Sequence, residues 1–424
     1  MSGSRLKEYI DVVVDNRGKT PPLAESGAEL IEVNAISGNQ KTVNYELIRK
    51  YVSEETYQSW FRTGHPHPGD VLVTTVGAIG RVSYVGKPRG CIAQNIISLR
   101  TKLDKLNGNY LYYYLSSSQT QARLQNLNIG VAQPSLKVPH LLDITVSFPP
   151  LPTQRKIAAI LSAYDDLFEN NLRRIKILEE MAQNLYREWF VKFRFPGHQH
   201  ARFTDSPLGR IPEGWEFQRL DKLCSAVLDG DWIETKDQGG EDYRLLQISN
   251  IGLSDFVETG KFRYVTQETF DRLRCTEIQP DDLLIARMPS PIGRGWLARK
   301  MPWRMITAVD VAIAKPDSRS IIPIYLLHFW NQPSTLAAIE KQSSGTTRLR
   351  ITRRELCAMP ILTPPLELQM QFSANARPML DLSNVMRDKN STLRRTRDLL
   401  LPKLISGEVN VSELDINTHE EAIA

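Results

Sequence analysis

The heptapeptide "FPPLPTQ" at residues 148–154 returns as "TPPLELQ" at residues 363–369, in a chain of 424 residues. A proline ring fixes φ and carries no N–H, so paired prolines belong just before or inside the first turn of a helix and not in its interior. Each copy therefore marks the point where one kind of structure hands over to a long helix. Outward from these marks, the chain aligns with itself. "LIEVNAI" (30–36) lies over "LLQISNI" (245–251), and "YVSEETY" (51–57) over "YVTQETF" (264–270). "PGDVLV" (68–73) lies over "PDDLLI" (280–285), and Ile79-Gly80-Arg81 over Ile292-Gly293-Arg294. "NYLYYYL" (109–115) lies over "IYLLHFW" (324–330), and Gly130 over Gly345. Seven matches in one order, at offsets of 212–215 residues, identify a tandem duplication.

Each repeat has two parts. In the first part, "DVLVTTV" (70–76) and "DLLIAR" (282–287) read as strands entered from a turn. The stretch "NYLYYYLSSSQTQARLQNL" (109–127) has helical spacing, with its tyrosines on a packed face. An α+β globule is expected. In the second part, Ile157, Leu161, Tyr164, Phe168, Asn171, Ile175, Leu178, Ala182, Leu185 and Trp189 alternate spacings of 4 and 3 over 33 residues. That is a heptad seam, and a lone polar residue on it, here Asn171, sets register at some cost in stability. A less regular counterpart runs from 366 to 404 through Met379, Leu382, Met386, Asn390, Leu393 and Leu400. The expected organisation is a globular domain over 1–151, a helix over 152–195, a second globular domain over 196–363, a helix over 364–410 and a disordered tail over 411–424. The two long helices are expected to pair antiparallel as a coiled-coil spacer, giving a pseudo-two-fold tandem repeat.

Composition narrows the class. The longest apolar run, Ile321 to Trp330, is too short to cross a membrane. The start "MSGSRLKEYI" has no apolar core of a secretion signal, and the four cysteines (Cys91, Cys224, Cys275, Cys357) form no C-x-x-C pair. A cytoplasmic protein with reduced thiols is expected. The net charge is only +5, yet its distribution is uneven. From Val71 to Leu142 there are eight basic residues and one acid, and from Leu283 to Arg354 twelve basic residues and three acids. An acid-poor stretch recurring in two diverged copies points to a polyanion, with duplex DNA the leading candidate. Catalytic signatures are missing. "RGKT" (17–20) lacks the earlier glycine of a phosphate-binding loop, and Pro21 and Pro22 block its helix. There is neither a G-x-G-x-x-G nor an N-P-P-Y motif, and the histidines show no metal-ligand spacing. No metal, cofactor or catalytic residue is assigned to this chain. Two alternatives remain open: a sequence-indifferent DNA scaffold, and a metal-dependent nuclease whose site is too dispersed to see, since the E-x-K of "IETK" (233–236) is too common a pattern to count.

Loops combining glycine, hydroxyl and basic residues are the candidate DNA contacts. In the first repeat these supply Arg17, Lys19 and Thr20, then Thr74, Thr75 and Arg81, then Gln133, Ser135 and Lys137. In the second they supply Arg287 and Arg294, then Thr346, Thr347, Arg348 and Arg350. Arginine matches the acceptor edge of guanine and glutamine that of adenine. The helix ends at Trp189 and Phe190, and at Leu400 and Leu404, are more apolar than a two-helix seam requires, and are read as docking points for a partner.

"PPLPTQRKIAAILSAYDDLFENNLRRIKILEEMAQNLYREWFVKF" closely resembles the central conserved region of specificity (S) subunits of type I restriction–modification systems. "PPLELQMQF" with "RDLLLPKLISGEVNV" (397–411) is similar to their C-terminal conserved region, and "PEGWEFQRL" (212–220) to the entry of their second domain. The first domain lacks a "PEGW"-type opening, which leaves its N-terminal boundary less secure. The resemblance implies a non-catalytic subunit with two target recognition domains, each reading half of a bipartite site in double-stranded DNA, while the helices set the distance between halves. It further implies docking of two methyltransferase (M) subunits, and of restriction (R) subunits in the full complex. Those partners would bind S-adenosylmethionine, ATP and Mg, methylate adenine and cleave unmodified DNA.

Overall fold

The computed structural model describes residues 3–418 apart from 17, 19, 37–39, 87–89, 129–133, 208 and 346–347. It divides into two compact units, Met1–Arg174 with Val385–Ala424, and Ile175–Asn384.

The first unit carries a four-stranded antiparallel sheet in the order Ile10–Asp15, Ile96–Thr101, Val71–Thr74, Val82–Tyr84. A three-stranded sheet, Tyr51–Val52, Ala28–Ile31 and Cys91–Ile92, includes one parallel pair, Leu30 on Cys91. Every residue of Val71–Thr74 is buried, which fits a central strand covered on both faces. The tyrosine stretch forms two helices, Gly108–Ser116 and Ser118–Asn126. Ser117 divides them because its hydroxyl accepts the Thr120 N–H and caps the second helix. Tyr110, Tyr112, Tyr113 and Tyr114 are all buried, as a packed face requires.

The second unit repeats this topology strand for strand. Its four-stranded sheet runs Cys224–Asp229, Val311–Pro316, Leu283–Ala286, Gly295–Leu297, and its three-stranded sheet Tyr264–Val265, Tyr243–Leu246, Arg304–Thr307. Again the parallel pair is the one made by the middle strand, here with Arg304–Thr307. A hairpin, Phe203–Ser206 with Gly209–Pro212, has no counterpart among the described residues of the first unit. Shared sheet order and shared placement of the one parallel pair confirm the duplication read from the sequence.

The proline marks open the two long helices, Leu151–Tyr186 (continued by one π turn, Arg187–Val191) and Leu366–Ser406. The glutamine that follows each mark explains why the motif recurs. Gln154 is buried; its Oε1 accepts the Asn107 N–H at 3.0 Å, and its Nε2 donates to the carbonyls of Lys105 at 3.0 Å and Pro149 at 2.9 Å. Gln369 is also buried; its Oε1 accepts the Ile322 N–H at 2.9 Å and its Nε2 donates to the Pro364 carbonyl at 2.8 Å. Asn107 and Ile322 are the residues that cap Gly108–Ser116 and Pro323–Trp330. Each glutamine thus latches the start of a long helix to the start of its own globular helix.

Within the first unit the long helices run antiparallel. The Asn171 amide donates to Asn390 Oδ1 at 2.9 Å, Arg394 stacks over the Phe168 ring, and Arg397 pairs with Asp165. Within the second unit, Phe372 meets Tyr186 and Phe190 edge to face. The expected seam is corrected in two places. Asp165 is buried where Tyr164 was expected, because Arg397 and the Tyr113 hydroxyl both bind its carboxylate. Past Ala182 the buried positions become Tyr186 and Phe190, each one residue beyond the 3.5-residue rhythm. A 3.6-residue helix drifts in that sense unless it supercoils. The tail is corrected as well: Val411 is only 1% exposed and Ile416 packs on the first unit's core. Residues 419–424 lie outside the described residues.

Candidate nucleic-acid interface

In each unit the central strand of the four-stranded sheet ends in the loop singled out from the sequence. The backbone frames of the two loops are the same. In the first unit Thr75 donates its N–H to the Asn95 carbonyl and accepts the Leu136 N–H, while Gly80 donates to Thr74. In the second, Arg287 donates to the Asp310 carbonyl and accepts the Ile351 N–H, while Gly293 donates to Ala286. The frame thus joins two loops per unit, 74–81 with 134–137 and 287–294 with the stretch leading to 351. In the second unit the latter folds back as a bridge between Ser344 and Arg350. Loops at strand ends, tied to each other by main-chain bonds, form a surface whose side chains can vary without disturbing the fold.

The side chains on these frames have diverged, and several expected contacts are interior. Thr74 and Thr75 are buried; the Thr74 hydroxyl accepts the Arg81 N–H, and Thr75 Oγ1 finds no partner. Arg287 is 7% exposed, its Nε donating to the Ile351 carbonyl at 3.0 Å and its guanidinium paired with Asp229. Burial, then the neighbouring Arg350, pull its pKa below the usual arginine value. Arg294 donates to four carbonyls, those of Ile248, Ile251, Pro289 and Pro291. These side chains are largely committed to building the loops, where the sequence had offered them as DNA contacts. Arg81, at the place equivalent to Arg294, is exposed, has no ion pair or side-chain hydrogen bond among the described residues, and lines a cavity of about 490 Å³ with Tyr112, Gln121, Arg394 and Arg397. Thr20, Lys137 and Arg348 are exposed and Ser135 is partly so. Arg350 is partly exposed and pairs with Asp310 at 3.0 Å. Arg17, Lys19, Gln133, Thr346 and Thr347 lie outside the described residues.

The charge pattern is also refined. Arg100 binds the buried Asp70 through two bonds of 3.0 Å, and Lys315 binds Asp282 at 2.7 Å at the equivalent place in the second unit. Both acids stand one residue before the acid-poor stretches, so part of the apparent excess is neutralised inside the fold. What remains at the loops is Arg81, Lys137, Arg348 and the outer Arg354, while Arg353 pairs with Asp229 at 3.5 Å. Sequence reasoning passed over Trp232, whose indole is 72% exposed in the loop after Cys224–Asp229. Its signal was available, as a tryptophan inside a polar, glycine-bounded loop.

The docking residues read from the helix ends are redirected. Phe190 is 3% exposed and belongs to the second unit's core, and Leu404 is 2% exposed in the first unit's core. Trp189 and Leu400 pack partly against the same cores. The apolar surplus at the helix ends is consumed by the globular domains. Among the described residues no three His, Cys, Asp or Glu side chains are grouped to hold a metal, and no helix is long and apolar enough to cross a membrane.

Residues 28–180 match the family model of the type I restriction modification DNA specificity domain. The MjaIX specificity subunit of Methanocaldococcus jannaschii, a type I restriction enzyme subunit, is 24% identical over 82% of this chain and 79% of its own length. The HindI specificity subunit of Haemophilus influenzae is 21% identical over 80% of this chain and 86% of its own. The crystal structure of a type I restriction–modification S subunit from M. genitalium superposes with a TM-score of 0.60 at 14% identity, over 95% of both chains. That likeness confirms the two-domain α+β fold with its pair of long helices. Family model, relatives and fold agree with the two helical segments from which the resemblance was first read: residues 28–180 match a type I restriction modification DNA specificity domain, and the chain as a whole is similar to specificity subunits of type I restriction enzymes.

Proposed function

We propose that each globular repeat reads one half of a bipartite site in double-stranded DNA, through the loops tied together at the end of its central sheet. The observation that carries this reading is the pair of equivalent frames at Thr75 and Arg287 with exchanged polar contents. Shared main-chain geometry places each loop alike on a duplex, and differing side chains specify different bases. Ser135, Lys137 and Gln133 serve the first half-site, and Arg348, Arg350 and the neighbouring Thr346 and Thr347 the second. Arg81, Arg17, Lys19 and Thr20 serve phosphates. The chain performs no chemistry of its own. It docks two methyltransferase subunits along the long helices, with Trp189 and Leu400 at the margins of that surface, and restriction subunits join the full complex. S-adenosylmethionine, ATP and Mg are bound by those partners, in the cytoplasm.

The test is selection from a randomised duplex pool with the full chain. Two short specific elements separated by a fixed gap of unspecified bases are expected. Insertion of four residues after Asn171 is expected to change the tolerated gap and leave both elements as they were. Enrichment of one continuous element, or of none, would overturn the bipartite reading; a gap indifferent to the insertion would show that the helix does not set it.

A further inference from the structure

Trp232 is the most exposed of the large apolar side chains among the described residues, and exposure of an indole to water is costly. The segment that carries it is held in place. Gly230 donates its N–H to the Val311 carbonyl, and Asp231 donates to the Thr307 carbonyl. Both Asp231 carboxylate oxygens accept the Thr276 N–H at 3.2 Å. A Cβ on Gly230 would stand 2.2 Å from the Ala308 oxygen, so only glycine allows this close approach. Lys236 holds the nearby Glu234 carboxylate at 2.8 Å and, with a smaller contribution from the Trp232 indole, keeps that carboxyl below its usual range. A backbone segment held on both sides therefore presents an exposed ring.

The place of that ring is set by charge. Asp229, three residues earlier and at most ~11 Å away along the chain, is the common partner of Arg287 and Arg353. Trp232 thus follows, by three residues, the carboxylate shared by Arg287 at the foot of one second-repeat loop and Arg353 just past the other. Three of the acids near it are paired with cations, while Asp231 accepts only the Thr276 N–H. Asp229 is paired as described, Asp237 with Arg272 at 2.6 Å, and Glu234 with Lys236. At the repeat offset, position 232 falls on Gly18 within "NRGKT", the loop already singled out in the first repeat.

We infer that Trp232 is a specificity-determining contact of the second repeat, whose indole stacks on a base at an opened step of the target duplex. The inference rests on the DNA-reading function proposed above. Stacking on an aromatic ring suits any base, and a wedge at a flexible step reads deformability as well as base edges.

The experiment uses the full chain and a duplex selected by it from the randomised pool, with 2-aminopurine placed at successive positions of the second element. The wild-type chain is expected to raise 2-aminopurine fluorescence at one step. Trp232→Ala is expected to abolish that signal and weaken binding ~10- to 100-fold, while Trp232→Phe stays within about five-fold. Thermal unfolding should not change, because the side chain is largely solvated. If Trp232→Ala binds and discriminates as the wild type does while the wild type still selects its target, the assignment of Trp232 is wrong and DNA reading stands. Loss of assembly with a protein subunit at unaltered DNA affinity would also overturn it, making the ring a protein contact. If the wild-type chain selects no sequence, the DNA-reading function fails and this inference with it.

Discussion

In the first repeat the loop after Thr74 ends in Arg81, which reaches solvent beside a groove; in the second, the loop after Ala286 ends in Arg294, which turns inward over four carbonyls. Thr75 and Arg287 differ in the same way one turn earlier. The threonine fills its site and leaves a hydroxyl unpartnered, whereas the arginine extends to Asp229 and Ile351. Main-chain bonds are common to both loops, so the frame is inherited and the side chains are not. A duplicated domain keeps the geometry that aims a surface and is free to rebuild what the surface presents.

The two glutamine latches test the shared part, and they should fail alike. Gln154→Ala removes three hydrogen bonds and leaves buried groups unpaired, for an expected loss of ~3 kcal/mol in denaturant unfolding. Gln369→Ala removes two, for ~2–3 kcal/mol. A large loss at one and none at the other would show that the two handovers are not equivalent.

Acid separates the repeats. His328 is held by burial at a pKa of about 4, below its ordinary 6.5, and the residue at its place in the first repeat is Tyr113. A depressed folded pKa means that the unfolded chain binds the proton first. The second unit therefore loses stability as pH falls from about 6.5 to 4, by at most ~3 kcal/mol. Asp231 acts in the opposite sense, because burial raises its carboxyl from 3.8 to about 6 and the stability it contributes when protonated is lost as pH rises between those values. Its partial exposure limits that effect to ~1 kcal/mol. His328→Phe should flatten the acid limb of stability against pH, leaving the smaller rise from Asp231.

Divergent arginines give the next effects. Arg294→Ala should destabilise the second unit by ~2 kcal/mol, since several carbonyls lose their donor, while Arg81→Ala should change stability by less than ~0.5 kcal/mol. In binding the order reverses. Arg81→Ala should weaken binding to all sequences and reduce the slope of affinity against salt by about one. Arg348→Ala should relax one base of the second half-site by ~1–2 kcal/mol, measured as the ratio of cognate to mismatched affinity. Equal losses on both duplexes would make Arg348 a phosphate contact. The smallest expected change is Thr75→Val, neutral or slightly stabilising, because the hydroxyl it removes has no partner.

Punctuation and periodicity made much of this fold legible. The proline pairs, the repeat offset and the heptad spacing of Ile157 to Ile175 all act locally along the chain, so they survive in a one-dimensional reading. The destinations of long side chains do not. Whether Arg294 faces solvent depends on carbonyls at Ile248 and Ile251, which no spacing near residue 294 records. The acid-poor stretches misled for a related reason, since Asp70 and Asp282 neutralise Arg100 and Lys315 from just outside them. Phe190 and Leu404 read as surplus on a two-helix seam because the third partner, a globular core, is distant in sequence.

The amide pair Asn171–Asn390 works as a detent. Apolar seams tolerate sliding by a whole heptad, since one leucine replaces another. With both amides buried, any such slide strands two polar groups, at ~1–3 kcal/mol each. Taking ~4 kcal/mol for both, the slipped alignment would hold about one molecule in a thousand. A coordinate that could vary continuously is reduced to one stop. The recognition loops can therefore be rewritten by mutation without recalibrating the helices that carry them.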